Sequence, residues 1–300
     1  MVGYHCKMSK IKHLVLSGGC IWGFSTFGVL YEAMTNGFLD ISNVETIHAT
    51  SVGTIIGAMV SLKIDPTQIR DYLIKRPWEV LCKKNKYSIL DIFQQKGMIH
   101  VGFFENMFAP LLKSVDLDPN ITLCDLFEYN GIDMHMYATE LNSFALVDLS
   151  HRTHGTWRLV DAVYVSCTIP ILFTPRFSGT DCFLDGGFLL NYPLSKCIAE
   201  NPDEILGVCI TPSREYSSQI TSESNVLDFI SRVIGQLSSH PHQVSPIPYE
   251  IVISQDITIE KCLNVLYNKD ERERLIYIGI DMMKSACETW GVLDAIDKLD

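Results

Sequence analysis

The sequence predicts an α/β fold around a mostly parallel, covered sheet, and three observations predict it. Short apolar runs of strand length alternate with longer segments of helical periodicity. Glycines and other small residues punctuate the junctions between them. No Pro/Gly/Ser-rich linker, low-complexity tract or internal repeat divides the 300 residues. Of these, 47% are hydrophobic and 20% charged, which is material for one large core.

The first apolar run, His13 to Leu16, stops at Gly18-Gly19 and reads as a strand. Phe24, Phe27, Val29, Leu30, Ala33 and Met34 then recur at helical spacing up to Gly37. Val44 to Ala49 reads as a second strand and Thr54 to Leu62 as a second helix. Asp65-Pro66 opens a further helix, since proline is well tolerated in a first turn. Residues 66–128 read as mainly helical. There Phe103, Phe104, Met107, Phe108, Leu111 and Leu112 are spaced as the core face of a helix, in preference to the wall of a ligand pocket. Ile132 to Thr139 and Phe144 to Leu149 form a predicted strand pair turning at Leu141–Ser143. A short helix is expected over Trp157 to Val165, and strands over Leu172–Phe177 and Cys182–Leu184. A helix over Leu194–Ala199 and a strand over Ile205–Ile210 follow. Asn225 to Leu237 and Asp270 to Trp290 read as helices, and His240 to Pro248 as a loop with three prolines.

The formal charge is −11, from 35 acidic and 24 basic residues, which argues against a nucleic-acid partner. The short basic cluster Lys83, Lys84 and Lys86 reads as a solvated turn. None of the ten cysteines forms a CxxC pair, so no zinc ribbon is suggested and no metal is expected. The first ten residues lack the apolar stretch of a signal peptide, and no apolar run approaches the length of a membrane span. The expectation is an intracellular, cytoplasmic protein with reduced cysteines that meets membranes, if at all, from their surface. Oligomeric state is not legible.

Three places carry chemistry. Ser51 stands between a strand and a helix, in Ala49-Thr50-Ser51-Val52-Gly53. A nucleophile elbow needs that position and small residues two places either side, which Ala49 and Gly53 supply. The helix behind it would offer partial positive charge to a developing oxyanion. The same serine also fits a plain helix N-cap. Ser17-Gly18-Gly19-Cys20-Ile21-Trp22-Gly23 follows the first strand, and its glycines let backbone N–H groups face an anion. It is neither a dinucleotide fingerprint, because Cys20 stands where glycine is needed, nor a P-loop. Asp185-Gly186-Gly187, after an apolar strand, is by itself an ordinary turn signal.

Taken in order, these motifs resemble the patatin-like phospholipases. Leu14 to Tyr31 is similar to that family's opening strand, oxyanion loop and first helix. Ser166 to Phe173 resembles its small-residue/Ile-Pro/Phe segment, and Phe183 to Gly187 with Asn191-Tyr192-Pro193 its Asp-Gly-Gly and Asn-x-Pro tail. The resemblance implies a three-layer α/β/α sandwich and hydrolysis of glycerolipid acyl esters by a Ser–Asp dyad, without a cofactor. It implies that Ser51 is the nucleophile, that Asp185 is its base, and that amides of Gly18, Gly19 and Cys20 form the oxyanion hole. Gly53, Gly186 and Gly187 support the turns. Residues 1–11 are then an N-terminal extension, 12–200 the catalytic core, and 201–300 a C-terminal α/β part of the same domain.

Two positions depart from the pattern. Cys20 replaces a third glycine and Trp22 a basic residue. Losing one aligned oxyanion donor costs about 3–4 kcal/mol of transition-state stabilisation. A catalytically impaired lipid-binding or scaffold protein is therefore the alternative. Trp22 fits either an acyl-chain groove or plain packing. A Ser–His–Asp arrangement would draw on His240 or His242, both in the proline-rich loop, whereas His48 reads as a packed strand residue.

Overall fold

The computed structural model describes residues 4–6, 10–83, 94–212, 220–224, 229, 232, 236, 246–255 and 264–295. Strand β1 (Tyr4–Cys6) pairs antiparallel with β12 (Leu293–Ala295). The main sheet holds β2 (His13–Leu16), β3 (Thr46–Thr50), β5 (Asp133–Glu140), β6 (Ala145–Leu149), β8 (Arg176–Ser178), β9 (Asp181–Asp185), β10 (Ile205–Pro212) and β11 (Tyr249–Gln255). Their order is β11-β10-β2-β3-β5-β9-β8, with β6 also paired to β5. The ladders from β11 to β5 are parallel, whereas β6, β8 and β9 add antiparallel pairings. β4 (Gly97–Ile99) and β7 (Ile171–Phe173) form a separate parallel pair.

Every residue of β2 is buried, as expected for a central parallel strand covered on both faces. Helices α1 (Gly23–Thr35), α2 (Val52–Ser61) and α7 (Leu159–Ser166) contribute to one continuous apolar core. α3 (Pro66–Lys75), α4 (Trp78–Lys83), α5 (Val101–Ser114), α6 (Leu123–Asn130) and α8 (Lys269–Trp290) extend that layer. A smaller core of Val15, Leu194 and Ile205 lies on the other face, under the 3-10 turn Pro193–Lys196.

Several boundaries follow from local chemistry. The Asp65 carboxylate caps α3 by accepting from the Thr67 and Gln68 amides, with Pro66 in the first turn. Thr122 and Asp125 form a capping box on α6, and Gly131 closes it in the left-handed conformation.

The sequence expectation needs correction at three places. The single strand expected over Leu172–Phe177 is two, Ile171–Phe173 and Arg176–Ser178, which belong to different sheets because the chain breaks at Thr174-Pro175. Leu194–Ala199 is no α-helix but the 3-10 turn Pro193–Lys196, because Pro193 and Pro202 leave room for only about two turns, where helix nucleation is costly. β11 begins directly after the loop that ends at Pro248 and has no counterpart in the sequence expectation, although Tyr249-Glu250-Ile251-Val252-Ile253 alternates as a strand does. The helix expected over 225–237 lies mostly outside the described residues, and His240, His242, Lys84 and Lys86 lie wholly outside them. Among the described residues no helix is long and apolar enough to cross a membrane.

α8 is seated on α1 by two glycines. A Cβ on Gly28 would strike the Ile276 carbonyl oxygen, and one on Gly279 the Ser25 carbonyl oxygen. Ser25 Oγ donates to the Leu275 carbonyl at 2.7 Å across the same contact. The buried Arg272 guanidinium ties the start of α8 to the end of α3 by donating to the Ile74 carbonyl at 2.8 Å. Gly279→Ala should therefore lower stability by about 1–3 kcal/mol through overpacking, even though alanine is the better helix former. Urea denaturation measures this, and equal or greater stability would show that the two helices can separate without cost.

Candidate active site

β3 ends at Thr50 and α2 begins at Val52, so the whole reversal falls on Ser51, at φ 52° and ψ −127°. A residue with a Cβ in this region costs about 1–3 kcal/mol and persists only where neighbours enforce it. The Ser51 side chain makes no capping hydrogen bond, so the plain N-cap reading does not hold. Ala49 is fully buried. Gly53 lets α2 sit on the end of β2, since a Cβ there would stand 2.5 Å from the Leu16 carbonyl oxygen.

The sheet brings Asp185 to Ser51. β6 occupies one edge of β5 from Met136 to Glu140. The other edge is shared: β3 pairs with it up to Thr50–Tyr137, and β9 enters from the opposite direction and ends at Asp185–Ala138. Thr50, just before the serine, and Asp185 thus pair with consecutive residues of one strand. Gly186 makes the exit possible, because a Cβ there would strike the Tyr137 carbonyl oxygen.

The Asp185 carboxyl is buried, and Oδ1 accepts the Gly187 N–H at 2.7 Å. Oδ2 is also buried and accepts no hydrogen bond of full geometry. The Ser51 hydroxyl is nonetheless close enough to favour the ionised form. Burial outweighs it and the Gly187 N–H, and raises the pKa from 3.8 to about 6.

The glycine loop lies against this pair. A Cβ on Gly18 would be 3.0 Å from Ser51 Cβ. Of the three amides expected to face an oxyanion, that of Gly18 is already engaged, donating to the Asn191 carbonyl at 3.0 Å. Gly19 rests on Ile210, whose Cδ1 would be 2.5 Å from an added Cβ. Cys20 adopts φ 51°, the conformation a third glycine would take freely, and opens a short 3-10 turn to Trp22. Cys20 is disulfide-bonded, contrary to the expectation of reduced thiols throughout, whereas Cys124, Cys167, Cys182, Cys197, Cys209 and Cys287 are free. Trp22 packs into the main core and does not line the cavity described next.

A cavity of about 140 Å³ lies against Ser51 in the apolar layer, walled by Ile55, Met59, Trp78, Phe104, Met107 and Leu172 among others. Phe103, Phe104 and Met107 are thus core residues, as their spacing indicates, and cavity wall as well, which the spacing did not convey.

Sequence reasoning gave no role to Ser166, Thr168 or Asn191. Ser166 Oγ accepts the Ser51 N–H at 3.0 Å, and the Thr168 carbonyl accepts that of Asp185 at 3.0 Å. Asn191 Nδ2 donates to the Gly18 carbonyl at 3.3 Å. The Ser-Cys-Thr-Ile-Pro and Asn-Tyr-Pro stretches were the available signals, but neither says which atom is bound. His48 is a packed strand residue: Nδ1 lies 2.9 Å from the Tyr137 hydroxyl, and the ring stacks on His135 at 4.6 Å. Burial pushes its pKa down to about 3.

Comparison with known proteins identifies the family. The model of the patatin-like phospholipase family matches residues 14–198. The chain belongs to that family. Uncharacterized protein R571 of Acanthamoeba polyphaga mimivirus is 26% identical to this patatin-like chain over 291 residues, covering 92% of it and 93% of the relative. A protein of Invertebrate iridescent virus 6 named "Probable lipid hydrolase 463L" is 25% identical over 199 residues, covering 65% of this chain and 66% of its own. In fold, the chain is similar to VipD from Legionella pneumophila, with a TM-score of 0.56 at 15% identity, over 99% of this chain and 71% of VipD. Membership places the chain among the lipid hydrolases.

The burial of Asp185 sets a pH dependence of stability. Its pKa rises from 3.8 to about 6 on folding, so the folded state binds more protons between those values. Stability is therefore lost as pH rises through that window. Asp185→Asn keeps an acceptor for Gly187 and removes the buried charge. It should be about 1–3 kcal/mol more stable than the wild type at pH 8, a gain that vanishes below the unfolded pKa of 3.8. Thermal melts across that range test this, and an Asn variant with no advantage at pH 8 would contradict it.

Proposed function

We propose that the chain hydrolyses acyl esters of lipids through a covalent acyl-enzyme, with Ser51 as nucleophile and Asp185 as the base that activates it. The observation that carries this reading is the shared edge of β5. It brings a buried carboxylate close to a strained serine that lines an apolar cavity. Perturbed carboxyl groups in such surroundings are the expected signature of acid–base work.

In the proposed cycle the acyl chain occupies the cavity and the ester carbonyl meets Ser51. Asp185 Oδ2 takes the hydroxyl proton as Oγ attacks the carbonyl carbon. A pKa of about 6 leaves the carboxylate ionised at neutral pH, yet makes it a better base than an ordinary aspartate. The tetrahedral oxyanion is stabilised by the amides of Gly19 and Cys20 and by the N-terminus of α2. Collapse breaks the bond to the leaving alcohol, which receives the proton from Asp185. Water then repeats the sequence on the acyl-enzyme. The positive φ of Cys20 supports this role, since the loop keeps a glycine-like backbone despite the side chain.

A fluorophosphonate probe should label the wild type and not Ser51→Ala. Hydrolysis of p-nitrophenyl esters should fall at least about a thousandfold in that variant. No labelling of a folded wild type, with no ester hydrolysis, would favour the lipid-binding scaffold instead. kcat/KM should rise with pH through an acid limb near 6, where Asp185 ionises. Replacing His240 and His242 together should leave the rate intact, and a collapse of the rate would refute the dyad.

A further inference from the structure

The turn Ser166-Cys167-Thr168 touches both members of the proposed dyad. Ser166 Oγ accepts the Ser51 N–H at 3.0 Å and donates to the Tyr137 carbonyl at 2.6 Å. Two residues on, the Thr168 carbonyl accepts the Asp185 N–H at 3.0 Å. Cys167 Sγ lies 3.7 Å from Thr54 Oγ1, which donates to the Ser51 carbonyl at 2.6 Å. Ser166 and Thr168 are fully buried, so water does not substitute for these contacts.

The placement of the Ser166 hydroxyl follows from the topology. The ladder between β3 and β5 ends at Thr50–Tyr137, and the chain then swings away at Ser51. That swing takes the Ser51 amide out of the ladder at the point where β9 takes over the edge. A buried amide without an acceptor is costly. Ser166 Oγ fills the gap between that amide and the Tyr137 carbonyl, and so fixes Ser51 to the strand beside which Asp185 also stands.

We propose that Ser166 is a positioning residue of the reaction: its hydroxyl clamps the Ser51 amide to β5 and so holds the serine in the strained positive-φ conformation that presents Oγ to Asp185. This rests on the reading of Ser51 and Asp185 given above. A clamp differs from a merely structural hydroxyl in what its loss changes. Ser61 supplies the comparison, being equally buried, at the far end of helix α2 from Ser51, and bonded to the Ala58 carbonyl at 2.9 Å.

Ser166→Ala should lower kcat and the fluorophosphonate labelling rate between about ten- and a hundredfold, the scale of a displaced reacting group. KM for a short-chain p-nitrophenyl ester should not change. Ser166→Thr, which keeps the hydroxyl, should recover most of the rate, and Ser61→Ala should leave it unaltered. Hydrogen exchange of the Ser51 amide, followed by NMR, gives a readout free of catalysis: protection in the wild type, lost in Ser166→Ala. A folded Ser166→Ala that labels at the wild-type rate, or Ser51 protection indifferent to the change, overturns the clamp. If the wild type takes no label, the nucleophile reading falls, and amide protection alone decides the clamp.

Discussion

One edge of β5 governs the rest of the candidate site. A strand offers a single row of hydrogen-bonding groups along each side. Here one row is divided between a parallel neighbour that departs and an antiparallel neighbour that arrives. The division leaves a break in an otherwise continuous ladder, with Ser51 on one side and Asp185 on the other. Thr50, which precedes the serine, and Asp185 are registered to consecutive residues, Tyr137 and Ala138, so backbone geometry brings the two chain segments together.

A break in a buried ladder strands polar groups, and the surrounding residues answer that demand. Ser166 takes the Ser51 amide, the Thr168 carbonyl takes that of Asp185, and Thr139 Oγ1 donates to the Asp185 carbonyl at 3.1 Å. Close approach is the second demand. Gly18, Gly53 and Gly186 each occupy a point where a side chain would overlap Ser51, the end of β2 or β5. The carboxyl oxygen Asp185 Oδ2 is what this network leaves without a full partner. A buried polar atom left unsatisfied in an otherwise satisfied site is where chemistry is expected.

The sequence revealed those parts of the molecule that local chemistry specifies. Strand β2, the helix opened by Asp65-Pro66 and the Asp185-Gly186-Gly187 turn each depend on neighbours a few residues away, so spacing and residue type sufficed, whereas spacing left Ser51 open between an elbow and a helix cap. The cavity was not legible, because α2, α4, α5 and the β7 region each contribute a few side chains and periodicity along one helix cannot tell core from wall. Nor was the engagement of the Gly18 amide, which depends on Asn191 more than 170 positions away (191 − 18). Ser166 was visible as part of a motif, but its bond to Ser51 spans 115 positions and exists only once the sheet has formed. The helix expected at Leu194 failed for a different reason: its apolar residues were real, but the prolines around it left too little length.

The region matched by the family ends at residue 198, yet β10 begins only at Ile205. Ile210 packs directly beneath Gly19, and its amide is received by Ser17 Oγ at 2.7 Å. The glycine loop therefore stands on a floor supplied by chain beyond the matched region. Transplanting residues 14–198 into another scaffold would move the recognisable parts and leave their foundation behind. A self-sufficient fragment would have to run at least through β10, where the aliphatic side chain of Ile210 fills the space under Gly19.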